Sequence, residues 1–156
     1  MVEQEEVRYQ AYRESIRQLQ ESISKGHPAF SPDEIQALLE RGCPFEARRI
    51  KYIRGPSRKC LEIAYEQLRK HPDWSLWMGF VLGSGGWSAH AWNMTPHEVV
   101  VEPNARERPE LYYGTEYLAG PKSLKRRGFT DEEIRKFDTY TTHFVREIRR
   151  REKTKA

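Results

Sequence analysis

Apolar residues recur every three or four positions in four stretches of the chain and alternate with polar ones in four others. Val7, Ala11, Ile16, Leu19 and Ile23 form a sparse stripe, which predicts a helix from Glu3 to Ser24. Lys25-Gly26-His27-Pro28 stops it, with glycine as the cap and proline beyond. Ser31-Pro32-Asp33-Glu34 starts a second helix. Ser31 can cap it, Pro32 suits the first helical position and Glu34 completes a capping box. Ile35, Leu38 and Leu39 are its expected buried face, and Arg41-Gly42 ends it. Cys43-Pro44 reads as a turn, and residues 46–54 fit a short helix or a strand equally well. After Gly55-Pro56, Ser57 can cap a third helix running to about Lys70, with Leu61, Ala64, Tyr65 and Leu68 at helical spacing.

From Trp74 the period shortens. Trp74 to Leu82, Trp87 to Asn93, Glu98 to Glu102 and Leu111 to Leu118 read as strands rich in aromatic and β-branched residues. Gly83-Ser84-Gly85-Gly86 and Thr95-Pro96-His97 are the turns, short enough to make the sheet antiparallel. A last helix opens at Thr130, capped with Glu133, and continues through Ile134, Phe137, Phe144 and Ile148 to the basic residues Arg149 to Arg151. The expected fold class is therefore α+β in a single domain, residues 1–156. A helical N-terminal extension covers 1–53, a core 54–118, and a C-terminal helix with a basic tail 119–156.

Composition adds three constraints. Only 37% of residues are hydrophobic but 12% are aromatic, so a modest core built from large side chains is expected in the middle of the chain. Net charge is +4, with the excess at Arg48-Arg49, Arg58-Lys59, Lys125-Arg126-Arg127 and Arg149 to Arg151. Such clusters are ordinarily solvated surface, but they also offer weak binding to nucleic acid or an acidic partner. Two cysteines, an acidic N-terminus and no long apolar run argue against a disulfide framework, a signal peptide and a membrane span. A reducing cytoplasm is the expected setting.

The chemistry gathers between Arg54 and Gly114. Cys60 falls in the first turn of the third helix, where unpaired N–H groups and partial positive charge stabilise a thiolate. His90 lies on the second strand. Alternation sets Ser88, His90 and Trp92 on one face and Trp87, Ala89 and Ala91 on the other. Trp92 can shield the imidazole from water. A three-residue turn at Thr95-Pro96-His97 sets Met94 opposite Glu98 and His90 opposite Glu102, and directly opposed residues share a face. A two-residue loop would pair His90 with Val101 instead. Glu102 then serves to orient the imidazole, with Asn104 as the alternative orienting residue. Histidines 27, 71, 97 and 143 show no ligand spacing, so neither a metal nor another cofactor is expected.

Cys60, the His90-Ala91-Trp92 segment and Val101-Glu102-Pro103-Asn104 together resemble the transglutaminase-like group of the papain-like cysteine-enzyme superfamily, in small bacterial or phage-type form. In that group a cysteine opens a helix packed on an antiparallel sheet, a histidine follows on one strand, often as His-x-Trp, and an aspartate on the next. Tyr112-Tyr113-Gly114 is similar to a tail found in small members. The family's aspartate is Glu102 here. The resemblance covers about residues 54 to 118. It implies a Cys60–His90–Glu102 triad and cysteine-dependent acyl transfer on a protein or peptide amide, by hydrolysis, deamidation or transamidation. The alternative is a non-catalytic binding module of the same fold, holding a protein or nucleic acid on its basic patches.

Overall fold

The computed structural model describes residues 10–55, 59–103 and 107–136. A 3-10 turn (Gln10–Tyr12) leads into α1 (Arg13–Ser24), followed by α2 (Pro32–Arg41), β1 (Cys43–Phe45), β2 (Arg49–Ile53) and α3 (Cys60–Lys70). Then come β3 (Ser75–Gly83), β4 (Gly86–Met94), β5 (Val99–Pro103), β6 (Leu111–Ala119) and the short α4 (Pro121–Arg126). The protein is α+β, with one six-stranded sheet in the order β1-β6-β3-β4-β5-β2.

Local chemistry explains several boundaries. The capping box at α2 forms as its residues require: Ser31 Oγ accepts from the Glu34 N–H at 3.2 Å, and the Glu34 carboxylate accepts from the Ser31 N–H at 2.6 Å. Ile35 and Leu38 of α2 are buried, whereas Leu39, expected on the same face, is 37% exposed. The β3–β4 hairpin closes on Ser84-Gly85, with Gly83 opposite Gly86 and Gly86 at a φ of 101° that glycine adopts without strain. At the last helix, Thr130 and Glu133 exchange the two hydrogen bonds of a second capping box, and residues 131–136 are helical. Phe137 to Ile148 and the terminal basic residues lie outside the described residues.

Two strands depart from the sequence expectation. Cys43-Pro44 is not a turn: it lies in β1, which pairs antiparallel with β6 from Cys43–Gly114 to Phe45–Tyr112. Pro44 is tolerated because β1 is an edge strand with one side free of the ladder. Residues 49–53 resolve as strand β2, which runs parallel to β5, so the sheet is mixed and not wholly antiparallel. A parallel pair needs a long crossover, and α3 with the β3–β4 hairpin supplies it. The Gly120-Pro121 step starts α4, which the apolar pattern did not reveal. Gly120 lets the chain pass Pro72 so closely that a Cβ would sit 2.1 Å from the Pro72 carbonyl oxygen.

The sheet cannot be flat. β1 and β2 are its two edges, yet only Glu46 to Arg48 join them. That link spans at most about 14 Å of extended chain, whereas six flat strands would set the edges roughly 24 Å apart. The sheet therefore rolls up. Phe45 from one edge and Ile50 from the other pack into the same cluster inside the roll, against Trp92, Val100 and Tyr112. Outside the roll, α1 and α2 cover Phe80 and Tyr113 through Leu19, Ile23 and Leu38. α3 covers Leu76 and Ala91 through Ala64 and Leu68. The N-terminal helices are fastened further by Trp87 Nε1 donating to Ser15 Oγ (2.9 Å) and by the Tyr113 hydroxyl donating to the Leu38 carbonyl (2.8 Å).

Candidate active site

Cys60 is the first residue of α3, with Lys59 at the N-cap. Ser57, the expected cap, lies outside the described residues. The Lys59 side chain makes no capping hydrogen bond, and the first intrahelical bond runs from the Ile63 N–H to the Lys59 carbonyl (2.9 Å). The N–H groups of Cys60 and Leu61 precede that bond and point out of the helix end. Ala91 is small and buried at 4% exposure, so α3 packs closely on β4. Asn93, fully buried one turn of strand away, donates from Nδ2 to the Ala64 carbonyl at 2.8 Å and clamps α3 to the strand.

The β4–β5 register differs from the expected one. Met94 pairs with Val100 and Asn93 with Val101. The turn does contain three residues, but they are Pro96, His97 and Glu98, closed by the Thr95 N–H donating to the Val99 carbonyl (3.0 Å). Glu98 takes a φ of 61°, the left-handed position that completes a three-residue hairpin loop. The slip is two positions, so it preserves which face each side chain occupies. Glu102 remains on the His90 face as a diagonal neighbour, one residue pair from direct opposition. Two positions beyond Val101, Pro103 has no N–H to offer, and the β4–β5 ladder ends.

Cys60 and His90 are neighbours, close enough that the thiol helps to raise the imidazole. His90 Nε2 contacts Glu102 Oε1, which leaves Nδ1 as the nitrogen for Cys60. The second carboxylate oxygen, Glu102 Oε2, accepts from the Tyr112 hydroxyl at 2.6 Å. Glu102 and Tyr112 are both fully buried, while the His90 side chain keeps 16% exposure. Burial alone would lower the pKa of His90. The neighbouring Cys60 thiol and the hydrogen bond and charge of Glu102 outweigh it and push the imidazole up to about 10. Desolvation, then the Glu102 charge and hydrogen bond, hold the Tyr112 phenol well above its usual range, so it stays a donor.

Trp92 is fully buried, its ring 6.4 Å from that of His90 and 26° from parallel. It also meets Tyr112 edge-on at 4.9 Å, and Phe45 stacks on Tyr112 at 5.1 Å. Space for the indole comes from Gly114, where a Cβ would lie 2.6 Å from the Trp92 ring. The expected cysteine, histidine and carboxylate are thus brought together with Trp92 beside them. Asn104 lies outside the described residues. The sequence names Tyr112 only within the Tyr112-Tyr113-Gly114 segment and Asn93 only as a strand end, and assigns neither a role in the site. Alternation places Tyr112 on the Gly114 face, but its meeting with Glu102, three strands along the sheet, depends on the roll. Comparison with protein-family models, curated proteins and solved structures returns no match. No helix among the described residues is long and apolar enough to cross a membrane.

The Tyr112 hydroxyl can be removed without disturbing its ring. Tyr112→Phe is expected to cost about 1–3 kcal/mol, the penalty for an unpartnered buried acceptor. The check is calorimetric Tm; an unchanged Tm would show that the Glu102–Tyr112 bond contributes nothing net.

Proposed function

We propose that the protein is a cysteine-dependent acyl-transfer enzyme that acts on an amide, in the manner of the transglutaminase-like enzymes it resembles. One observation carries the reading: Cys60 at a helix N-terminus lies beside His90, whose Nε2 meets the buried Glu102. That order of nucleophile, base and orienting group is the logic of activated thiol catalysis. Glu in place of Asp gives the carboxylate one more methylene of reach toward His90, its diagonal neighbour.

The steps follow from the atoms in place. His90 takes the Cys60 proton, in surroundings that favour the charged imidazole. The sulfur attacks the amide carbonyl carbon, forming a C–S bond and moving the C=O electron pair onto oxygen. The outward N–H groups at the start of α3 face that oxyanion. His90 then passes its proton to the leaving nitrogen, the C–N bond breaks and a thioester remains on Cys60. Water or a second amine, deprotonated by His90, releases the acyl group and restores the thiol. Glu102, held by Tyr112, keeps Nε2 protonated and the ring oriented throughout.

Cys43 is an internal control. It belongs to an exposed edge strand, yet local desolvation pushes its thiol up, so it is a poor nucleophile near neutrality. Limited iodoacetamide labelling at about pH 6, read by peptide mass spectrometry, should modify Cys60 at least tenfold faster than Cys43. Equal, slow modification of both would sink the proposal.

A further inference from the structure

Away from Cys60, two adjoining recesses of about 520 and 330 Å³ meet at Asp73 and Arg126. The larger is lined by Lys122, Lys125 and Arg126. These residues, at positions i, i+3 and i+4 of α4, share one side of the helix. The smaller is lined by Trp77, Met94 and Pro96 and lies on the sheet face that carries His90, beyond Trp92. α4 is fixed in place: Leu124 is buried, and the Lys122 N–H donates to the Pro72 carbonyl at 2.9 Å. The cations are therefore presented at set positions.

Their partners decide what they are available for. Arg127, at the rim, is held in a two-pronged pair with Glu116 at 2.6 and 2.9 Å. Lys125 has a loose, exposed contact with Asp131 at 3.6 Å. Lys122 and Arg126 have no carboxylate partner among the described residues and are exposed. Uncommitted positive charge thus borders a half-buried indole, a combination suited to phosphates beside a flat ring. Asp73, in the same recess, would repel an acidic peptide but accept from the amino groups of a base edge.

We propose that this recess binds single-stranded nucleic acid, with phosphates on Lys122, Lys125 and Arg126 and a base stacked on Trp77. The site is separate from the acyl-transfer chemistry and does not depend on it.

The test is fluorescence anisotropy of the full chain with a labelled oligocytidylate of about eight nucleotides, whose amino groups suit Asp73 and whose length is within the usual single-strand site sizes. Binding should fall with salt at a log–log slope of about −2, as for three phosphate contacts. Lys122→Ala/Arg126→Ala should weaken it at least tenfold at low salt, and Trp77→Leu, with folding checked by circular dichroism, about tenfold. No binding at low salt would overturn the proposal. So would an equal loss from Lys51→Ala on β2, or competition by polyglutamate at equal charge concentration together with indifference to Trp77→Leu, which would mark an acidic protein as the ligand.

Discussion

His90→Ala is expected to slow acylation of Cys60 by p-nitrophenyl acetate by a factor between about a hundred and ten thousand, the usual weight of a positioned base. Intact-protein mass spectrometry, reading the acetyl adduct on Cys60, is the measurement. Its size follows from the site's geometry. Among the described residues His90 stands between Cys60 and Glu102, so its loss removes the centre of the site. The α3 N-terminus survives the substitution and still favours negative charge at sulfur, which sets a floor to the loss. A rate within threefold of the parent would mean that His90 is structural and that the helix end alone accounts for any reactivity of Cys60.

The second large effect concerns Glu102. Its carboxylate is fully buried and serves both His90 and Tyr112. Glu102→Ala leaves a buried imidazolium and a phenol without their acceptor. Breaking one side of a buried charge pair costs about 3–5 kcal/mol, which for a chain of this length corresponds to a Tm lowered by about 10 °C. Glu102→Gln separates charge from shape. The folded-state pKa of His90 is raised to about 10. Its contribution to stability is therefore complete below the unfolded value of 6.5 and is lost as pH rises through about 10. In Glu102→Gln the carboxylate's charge is gone while burial still opposes the imidazolium, so the folded-state pKa drops back toward its ordinary value and the decline in stability across that window should be smaller. Urea denaturation from pH 6 to 10 measures it; an identical pH dependence in parent and variant would show that Glu102 does not hold the proton on His90.

Legibility in the sequence followed the range of the interactions. The capping box at Ser31, the two-residue turn at Ser84-Gly85 and strands β3, β4 and β6 rest on neighbouring residues and could be read directly. Cys60, His90 and Glu102 could be picked out because side-chain alternation survives a slip of two. The slip itself was hidden, because it depends on Glu98 adopting a left-handed φ more natural to glycine or asparagine. β1 is three residues long, contains a proline and is defined only by β6, far along the chain. Likewise the parallel course of β2 and the role of Tyr112 arise from how the sheet closes. No local pattern encodes either.

The three-residue link between the outermost strands also has a temporal meaning. β1 and β2 are close neighbours along the chain, but their ladder partners β6 and β5 lie roughly seventy and fifty positions downstream, which raises contact order and slows folding. The β3–β4 hairpin needs only its own residues and is the natural nucleus. During synthesis, residues 43–53 must wait for 99–114 to emerge before they find any partner. Phe45 and Ile50 spend that interval without the cluster that later covers them, and Glu102, though the β4–β5 hairpin sets it near His90, has no phenol in place until the roll closes. The bond that fixes Glu102 to Tyr112 is thus a late event, tied to the same step that joins the two margins of the sheet.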